Sequence, residues 1–180
     1  MPINKLEADY LVIGAGAMGM AFVDELRTQD PQCSIVIVDR HANPGGHWND
    51  AYPFVTLHQP ALFYGVNSEP LGRGGQDLSS GAEILAYYQR VIEKMLRSGQ
   101  VKYFPQCESM GNSRFRSLLE PELQYDVLVR RKVVDATYMN VEVPSVRGPQ
   151  YKVAVGAAVV PMNGLANMVE PFGAYVVIGG

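Results

Sequence analysis

Three glycines and one aspartate form the pattern in this chain most suggestive of chemistry. Gly14, Gly16 and Gly19 stand in G-x-G-x-x-G spacing, with Ala17 and Met18 inside it, and Asp39 follows 20 residues after Gly19. In such a turn the first glycine permits a sharp bend. The second removes a side chain from the path of a pyrophosphate, and the third lets a helix pack closely on a strand. A helix opening there points unpaired N–H groups and the positive end of its dipole at an anion. A carboxylate at the end of the next strand can accept from both hydroxyls of a ribose. The spacing alone is weak, because glycine is common; the elements around it decide its weight.

Those elements are the right ones. Tyr10, Leu11, Val12 and Ile13 are a wholly apolar run, as in a strand buried on both faces of a parallel sheet, and the glycine turn follows at once. Ala17, Met18, Ala21, Phe22, Glu25 and Leu26 have helical spacing, and Asp30-Pro31 closes that helix. Ser34, Ile35, Val36, Ile37 and Val38 read as a second buried strand running into Asp39. Residues 9–40 are thus predicted to be a βαβ unit that binds a dinucleotide.

Residues 41–80 carry glycine, proline and asparagine every few positions, too long a stretch for an ordinary connection, which marks them as functional. Within them Leu71-Gly72-Arg73-Gly74-Gly75-Gln76-Asp77 suggests a second phosphate cradle, but no strand precedes it, and it reads as an exposed loop. Ser80 and Glu83 then form a capping box ahead of the stripe Ile84, Leu85, Tyr88, Val91, Ile92 and Met95, with Gly99 as the stop. A third strand is expected at residues 101–104. Beyond it residues 115–119, 125–134 and 151–160 have strand character, so residues 110–160 read as a β-rich meander. Residues 174–180 repeat the form of the first strand and its glycines, as if opening a second dinucleotide-binding unit cut short; a frayed terminal strand is the plainer alternative.

Composition narrows the function. The chain has 180 residues, 47% hydrophobic and 18% charged, with a net charge of −3 and no basic stripe, which argues against a nucleic-acid partner. Cys33 and Cys107 make no C-x-x-C. The first residues do not read as a signal peptide, and no run approaches the roughly 18 apolar residues of a membrane span, so a cytoplasmic protein is expected. His41, His47 and His58 lack neighbours at metal-ligand spacing, and neither G-x-S-x-G nor a Walker lysine occurs. The Arg130-Arg131-Lys132 run reads as a solvated strand face.

Three features favour FAD over NAD(P) in this unit. The fingerprint lies close to the N-terminus, Gly45-Gly46-His47-Trp48 follows Asp39 directly, and a long irregular segment takes the place of the next strand. These residues, with Val36-Ile37-Val38-Asp39-Arg40 and Tyr52-Pro53-Phe54-Val55-Thr56-Leu57-His58-Gln59-Pro60, resemble the FAD-binding half of flavin-containing and Baeyer–Villiger monooxygenases and bacterial FAD/NAD(P)-binding proteins of that superfamily. The resemblance is sharp over residues 9–68 and loose beyond. It implies an α/β Rossmann-like FAD domain with a parallel sheet and a β-meander, truncated before an NAD(P)H-binding unit.

By that resemblance Gly14, Gly16, Ala17, Met18 and Gly19 cradle the FAD pyrophosphate, and Asp39 and Arg40 meet the adenosine ribose. Gly46, His47 and Trp48 lie along the pyrophosphate, ribityl chain and flavin, His58 and Gln59 approach the isoalloxazine, and Cys107 offers its backbone to adenine. No catalytic residue is assigned. The family's usual acid after the second strand is Glu where this chain has Asp39, His47 replaces a Leu or Thr, and the asparagine many members place near the flavin has no clear match. The implied protein is a flavoprotein oxidoreductase, monooxygenase-like and served by NAD(P)H, acting on an unidentified small molecule, with a homodimer among the assemblies open to it. A non-catalytic FAD-fold module and a flavin reductase without oxygenation remain alternatives.

Overall fold

The computed structural model describes residues 3–137 and 148–178, which fall in two compact units, Met1–Met139 and Asn140–Gly180. The first unit runs β1 (Asn4–Ile13), α1 (Ala17–Gln29), β2 (Ile35–Val38), two short 3-10 turns (Gly46–Asp50 and Ala61–Phe63), α2 (Gly81–Leu96), β3 (Val101–Phe104), β4 (Cys107–Gly111), β5 (Arg114–Ser117) and β6 (Gln124–Asp135). The six strands form one sheet in the order β3-β2-β1-β6-β5-β4. β3, β2, β1 and β6 are mutually parallel, and β6, β5 and β4 form an antiparallel meander.

Alternation along the central strands explains the layers. Ile35 and Ile37 of β2 and Val12 of β1 enter one core with Met20 and Val23 of α1 and Ile84, Tyr88, Val91 and Ile92 of α2. Val36, Val38 and Leu11 point the other way, into a second core with Cys107, Phe115 and Val127 of the meander. A strand covered on both faces has no polar side, which is why β2 reads as an unbroken apolar run. β1 begins six positions earlier than its apolar run implies, because Asn4 to Ala8 pair with Tyr125 to Val129 of β6 ahead of a register shift. The capping box of α2 is present in full: the Ser80 side chain accepts from the Glu83 N–H, and the Glu83 carboxylate accepts from the Ser80 N–H.

The irregular segment is tied to both helices. Asp24 of α1, buried, accepts from the N–H of Ser68 at 2.9 Å and from its hydroxyl. Tyr87 of α2 takes the Val66 N–H at 2.6 Å and donates to the Glu69 carbonyl, while Tyr88 donates to the Tyr64 carbonyl at 3.1 Å. These bonds satisfy backbone groups that a long loop would otherwise leave buried and unpaired.

Two sequence expectations are corrected in the C-terminal part. The meander is built from residues 107–135, with β4 unforeseen, and the strand expected at 151–160 is not formed. Of the described residues 148–178, only α3 (Met162–Leu165) is regular. Residues 174–178 are likewise not in a strand, and Val176 and Val177 are 86% and 88% exposed. Strand propensity needs a neighbouring strand to take the backbone hydrogen bonds; among the described residues the sheet contains β1 to β6. Gly179, Gly180 and residues 138–147 lie outside the described residues. No helix among the described residues is long and apolar enough to cross a membrane.

Candidate dinucleotide site

The glycine turn sits at the C-terminal end of β1. Gly14 donates to the Val38 carbonyl at 2.8 Å with a φ of +102°, and a Cβ there would press on the Ala136 carbonyl group at 3.3 Å. A Cβ on Gly19 would lie 2.0 Å from the Gly14 oxygen, so only glycine lets α1 start flush on the turn. The N-terminus of α1 is bare: Gly16 provides no capping side chain, and no acid stands in the first turn. α2 covers its own N-terminus with Ser80 and Glu83, so the exposed Ala17 and Met18 mark an end left for something else to cap.

The second glycine pair closes on this turn. The Gly45 N–H donates to the Ala15 carbonyl at 2.8 Å. Gly46, at φ +56°, sets its backbone against Gly16, where a Cβ would come within 3.0 Å of the Gly16 Cα. Gly16 therefore has a second role beyond clearing space for a phosphate: it admits the Gly45-Gly46 loop. The 3-10 turn that follows is held by the Asn49 amide, which donates to the Gly46 and Asn43 carbonyls at 2.9 and 3.1 Å. It directs Trp48 onto the helix-side core beside Gly81, while His47 stays exposed and stacks on Trp48 at 5.4 Å.

Asp39 stands at the end of β2 as expected, but its carboxylate is turned inward. One oxygen accepts the Ala15 N–H at 2.6 Å; the other accepts the His41 N–H at 2.7 Å and lies 2.9 Å from His41 Nδ1. The side chain is 5% exposed. A carboxylate so held braces the glycine turn. The far side of the imidazole, Nε2, is 2.9 Å from Asp50, and exposed Arg40 lies 3.9 Å from the same carboxylate. In the sequence His41 stands out only as a histidine without metal-ligand neighbours, and Asp50 not at all, because nothing in their spacing links them.

At Cys107 the backbone N–H donates to the Asp39 carbonyl at 2.9 Å, and burial pushes its thiol pKa up. His58 and Gln59 are both exposed beyond the turn, Gln59 accepting from the Tyr64 hydroxyl at 2.9 Å. The Gly72 to Gly75 loop behaves as a surface loop: Asp77 accepts its Arg73 N–H at 3.0 Å, and nothing packs where Cβ atoms on Gly74 or Gly75 would go.

Three further residues belong to the site. Ala136, just after β6, donates to the Ile13 carbonyl at 2.8 Å and packs its Cβ 3.3 Å from where a side chain on Gly19 would begin. Thr137 donates from its N–H and hydroxyl to Asp135, which lowers that carboxyl's pKa. Tyr103 of β3 holds a buried hydroxyl with no hydrogen-bond partner, and its pKa is raised by burial and by the neighbouring Asp39 and Cys107. A small residue at the end of β6 is the one sequence signal that could have pointed to Ala136.

A parallel sheet whose central strand runs into a glycine turn and a bare helix N-terminus, with an acid closing the adjacent strand, is a Rossmann-like arrangement. Residues 12–70 match the family model of the NAD(P)-binding Rossmann-like domain. An uncharacterized protein of Mycobacterium tuberculosis is 46% identical over 99% of this chain and 34% of its own length. The “Probable FAD-binding monooxygenase AlmA” of an Acinetobacter species is 33% identical over 49% of this chain and 18% of its own length. The structure of a flavin-containing monooxygenase from Stenotrophomonas maltophilia superposes with a TM-score of 0.50 at 25% identity, covering 73% of this chain and 38% of that one. The resemblance to flavin monooxygenases read from the sequence is thus shared by sequence relatives and solved structures. The chain spans about a third or less of the length of these sequence relatives.

Proposed function

We propose that this chain binds FAD and forms the flavin-holding part of an oxidoreductase of the monooxygenase type, reduced by NAD(P)H. The observation that carries the reading is the backbone contact between Gly16 and Gly46, which brings the Gly45-Gly46-His47-Trp48 turn alongside the bare N-terminus of α1. A dinucleotide laid across that junction has its pyrophosphate at Gly14, Gly16, Ala17, Met18 and Gly19. Its flavin end runs past Gly46, His47 and Trp48 toward His58 and Gln59, and its adenosine end lies by Asp39 and Arg40.

The residues present fit such a group. The cradle is free of side chains where phosphate oxygens approach, the helix dipole favours their charge, and the orphaned Tyr103 hydroxyl near Asp39 is a polar group that a ligand or its waters would satisfy. The flavin supplies the two-electron chemistry when bound. This chain's own residues fix the phosphates through backbone N–H groups, hold the turn through Asp39, and set an aromatic pair, His47 and Trp48, along the path of the ring. The test is reconstitution: purified protein mixed with FAD and passed through a desalting column should retain flavin absorbance in proportion to protein. A colourless protein fraction would contradict the reading.

A further inference from the structure

We propose that Asn49 governs FAD affinity without touching the cofactor: its side-chain amide locks the Gly45-Gly46 arm against the glycine turn before the ligand arrives. The inference rests on the FAD reading above and assigns, within that site, the residue that preforms it. The arm has little of its own to hold it. Gly45 and Gly46 both sit at positive φ, +121° and +56°, a conformation that glycine enters and leaves with ease. Neither has a side chain with which to anchor itself. The space around them is nonetheless narrow. A Cβ on Gly46 would come within 3.0 Å of the Gly16 Cα, and one on Gly45 would lie 2.7 Å from a Leu85 methyl of α2. The arm therefore threads between the start of α1 and the face of α2, and something must keep it there.

Asn49, half-buried in the 3-10 turn that follows, supplies that anchor. Its Nδ2 donates to the Gly46 carbonyl at 2.9 Å and to the Asn43 carbonyl at 3.1 Å, so the two amide hydrogens tie down both ends of the 43–46 loop. The backbone closes the rest: the Gly45 N–H donates to the Ala15 carbonyl at 2.8 Å, and the Trp48 N–H to the Gly45 carbonyl at 3.2 Å. With both hydrogens committed to the loop, the Asn49 amide acts on a dinucleotide through Gly46. It is a positioning residue. An arm held beforehand in its bound shape removes the ordering cost from binding, and apparent affinity falls in proportion to the fraction of chains whose arm is in place. Donor and shape can be told apart here. An aspartate has the size of asparagine but no hydrogen to give, and it sets a carboxylate against two carbonyl oxygens.

The test follows FAD binding to the full chain by stopped-flow fluorescence in the wild type, Asn49→Ala and Asn49→Asp. Losing two hydrogen bonds to the arm should weaken FAD roughly tenfold in Asn49→Ala, and at least as much in Asn49→Asp. The loss should fall on the association rate, because fewer chains are competent to bind, with the dissociation rate within about twofold of the wild type. Hydrogen exchange adds a measurement that needs no variant. The Gly45 and Trp48 amides of the free wild type should be protected; both variants should lose that protection and regain it with saturating FAD. Variants that bind FAD as the wild type does would overturn the inference and leave the FAD reading intact. An Asn49→Asp variant alone matching the wild type would do the same, since shape would then suffice. So would a loss carried only by the dissociation rate, the mark of a direct contact, or Gly45 and Trp48 amides that exchange in the free wild type as fast as an open loop. A wild type that binds no FAD would overturn the FAD reading and this inference together.

Discussion

Replacing Asp39 with alanine tests whether this acid braces the fold or only awaits a ligand. The substitution removes a buried acceptor from the Ala15 N–H at 2.6 Å, from the His41 N–H at 2.7 Å and from His41 Nδ1 at 2.9 Å. Ala15 is fully buried, so its N–H cannot turn to water, and leaving such a donor unpaired costs about 1–3 kcal/mol. Hydrogen bonds to a charged group contribute about 1.5–3 kcal/mol each, but the two His41 bonds lie nearer solvent and share one residue, so they do not add in full. A net loss of about 3 kcal/mol follows. For a chain of this size that corresponds to a fall of about 10 °C in Tm. The assay is thermal unfolding by circular dichroism without added ligand, with Asp39→Asn as the milder companion, since the amide keeps one acceptor for Ala15. An acid held only for a ligand would leave the free protein unchanged or slightly stabilised when removed. An Asp39→Ala variant melting within about 2 °C of wild type would refute the bracing role.

Other outcomes follow from the same geometry. Gly46→Ala places a Cβ at positive φ and 3.0 Å from the Gly16 Cα, and is expected to lower stability by about 1–3 kcal/mol in chemical denaturation while weakening FAD retention. Tyr87→Phe leaves the Val66 N–H and the Glu69 carbonyl without their shared hydroxyl; it should cost about 1–3 kcal/mol and speed limited proteolysis between residues 64 and 71. Asp9 is held well below the ordinary carboxylate range by the Ser34 N–H and then by Arg130, and Glu25, Glu83 and Asp135 are lowered as well. A depressed folded-state pKa means stability that is complete above the ordinary value of about 4 and lost progressively as pH falls from there through the lowered folded-state value. Urea midpoints should therefore decline steadily below about pH 4, and Asp9→Asn should flatten that decline.

The elements legible in the sequence were those whose signals are local. The apolar run of β2, the S-x-x-E box before α2 and the glycines of the turn each carry their reason within a few residues, and each forms where expected. The first half of β1 was not legible, because it is a strand only through β6, more than a hundred positions away. Residues 151–160 show the converse: strand-like composition without a partner strand does not make one. Within the site, the identity of Asp39 was readable and its direction was not. Whether a carboxylate faces a ribose or an Ala15 N–H is decided by a rotamer and by His41, and neither leaves a mark in spacing. Ala136 escaped for the same reason as the start of β1, since it meets Gly14 and Gly19 only through the closed sheet.

The central claim is that FAD lies across the Gly16–Gly46 junction with its flavin end toward Trp48, and Trp48 is the only tryptophan in the chain. The most direct measurement is therefore a titration of tryptophan fluorescence with FAD. The account predicts saturable quenching at one FAD per chain, with Gly46→Ala shifting the curve to higher FAD concentration. Quenching that never saturates, or that is identical in the wild type and the Gly46 variant, would contradict it.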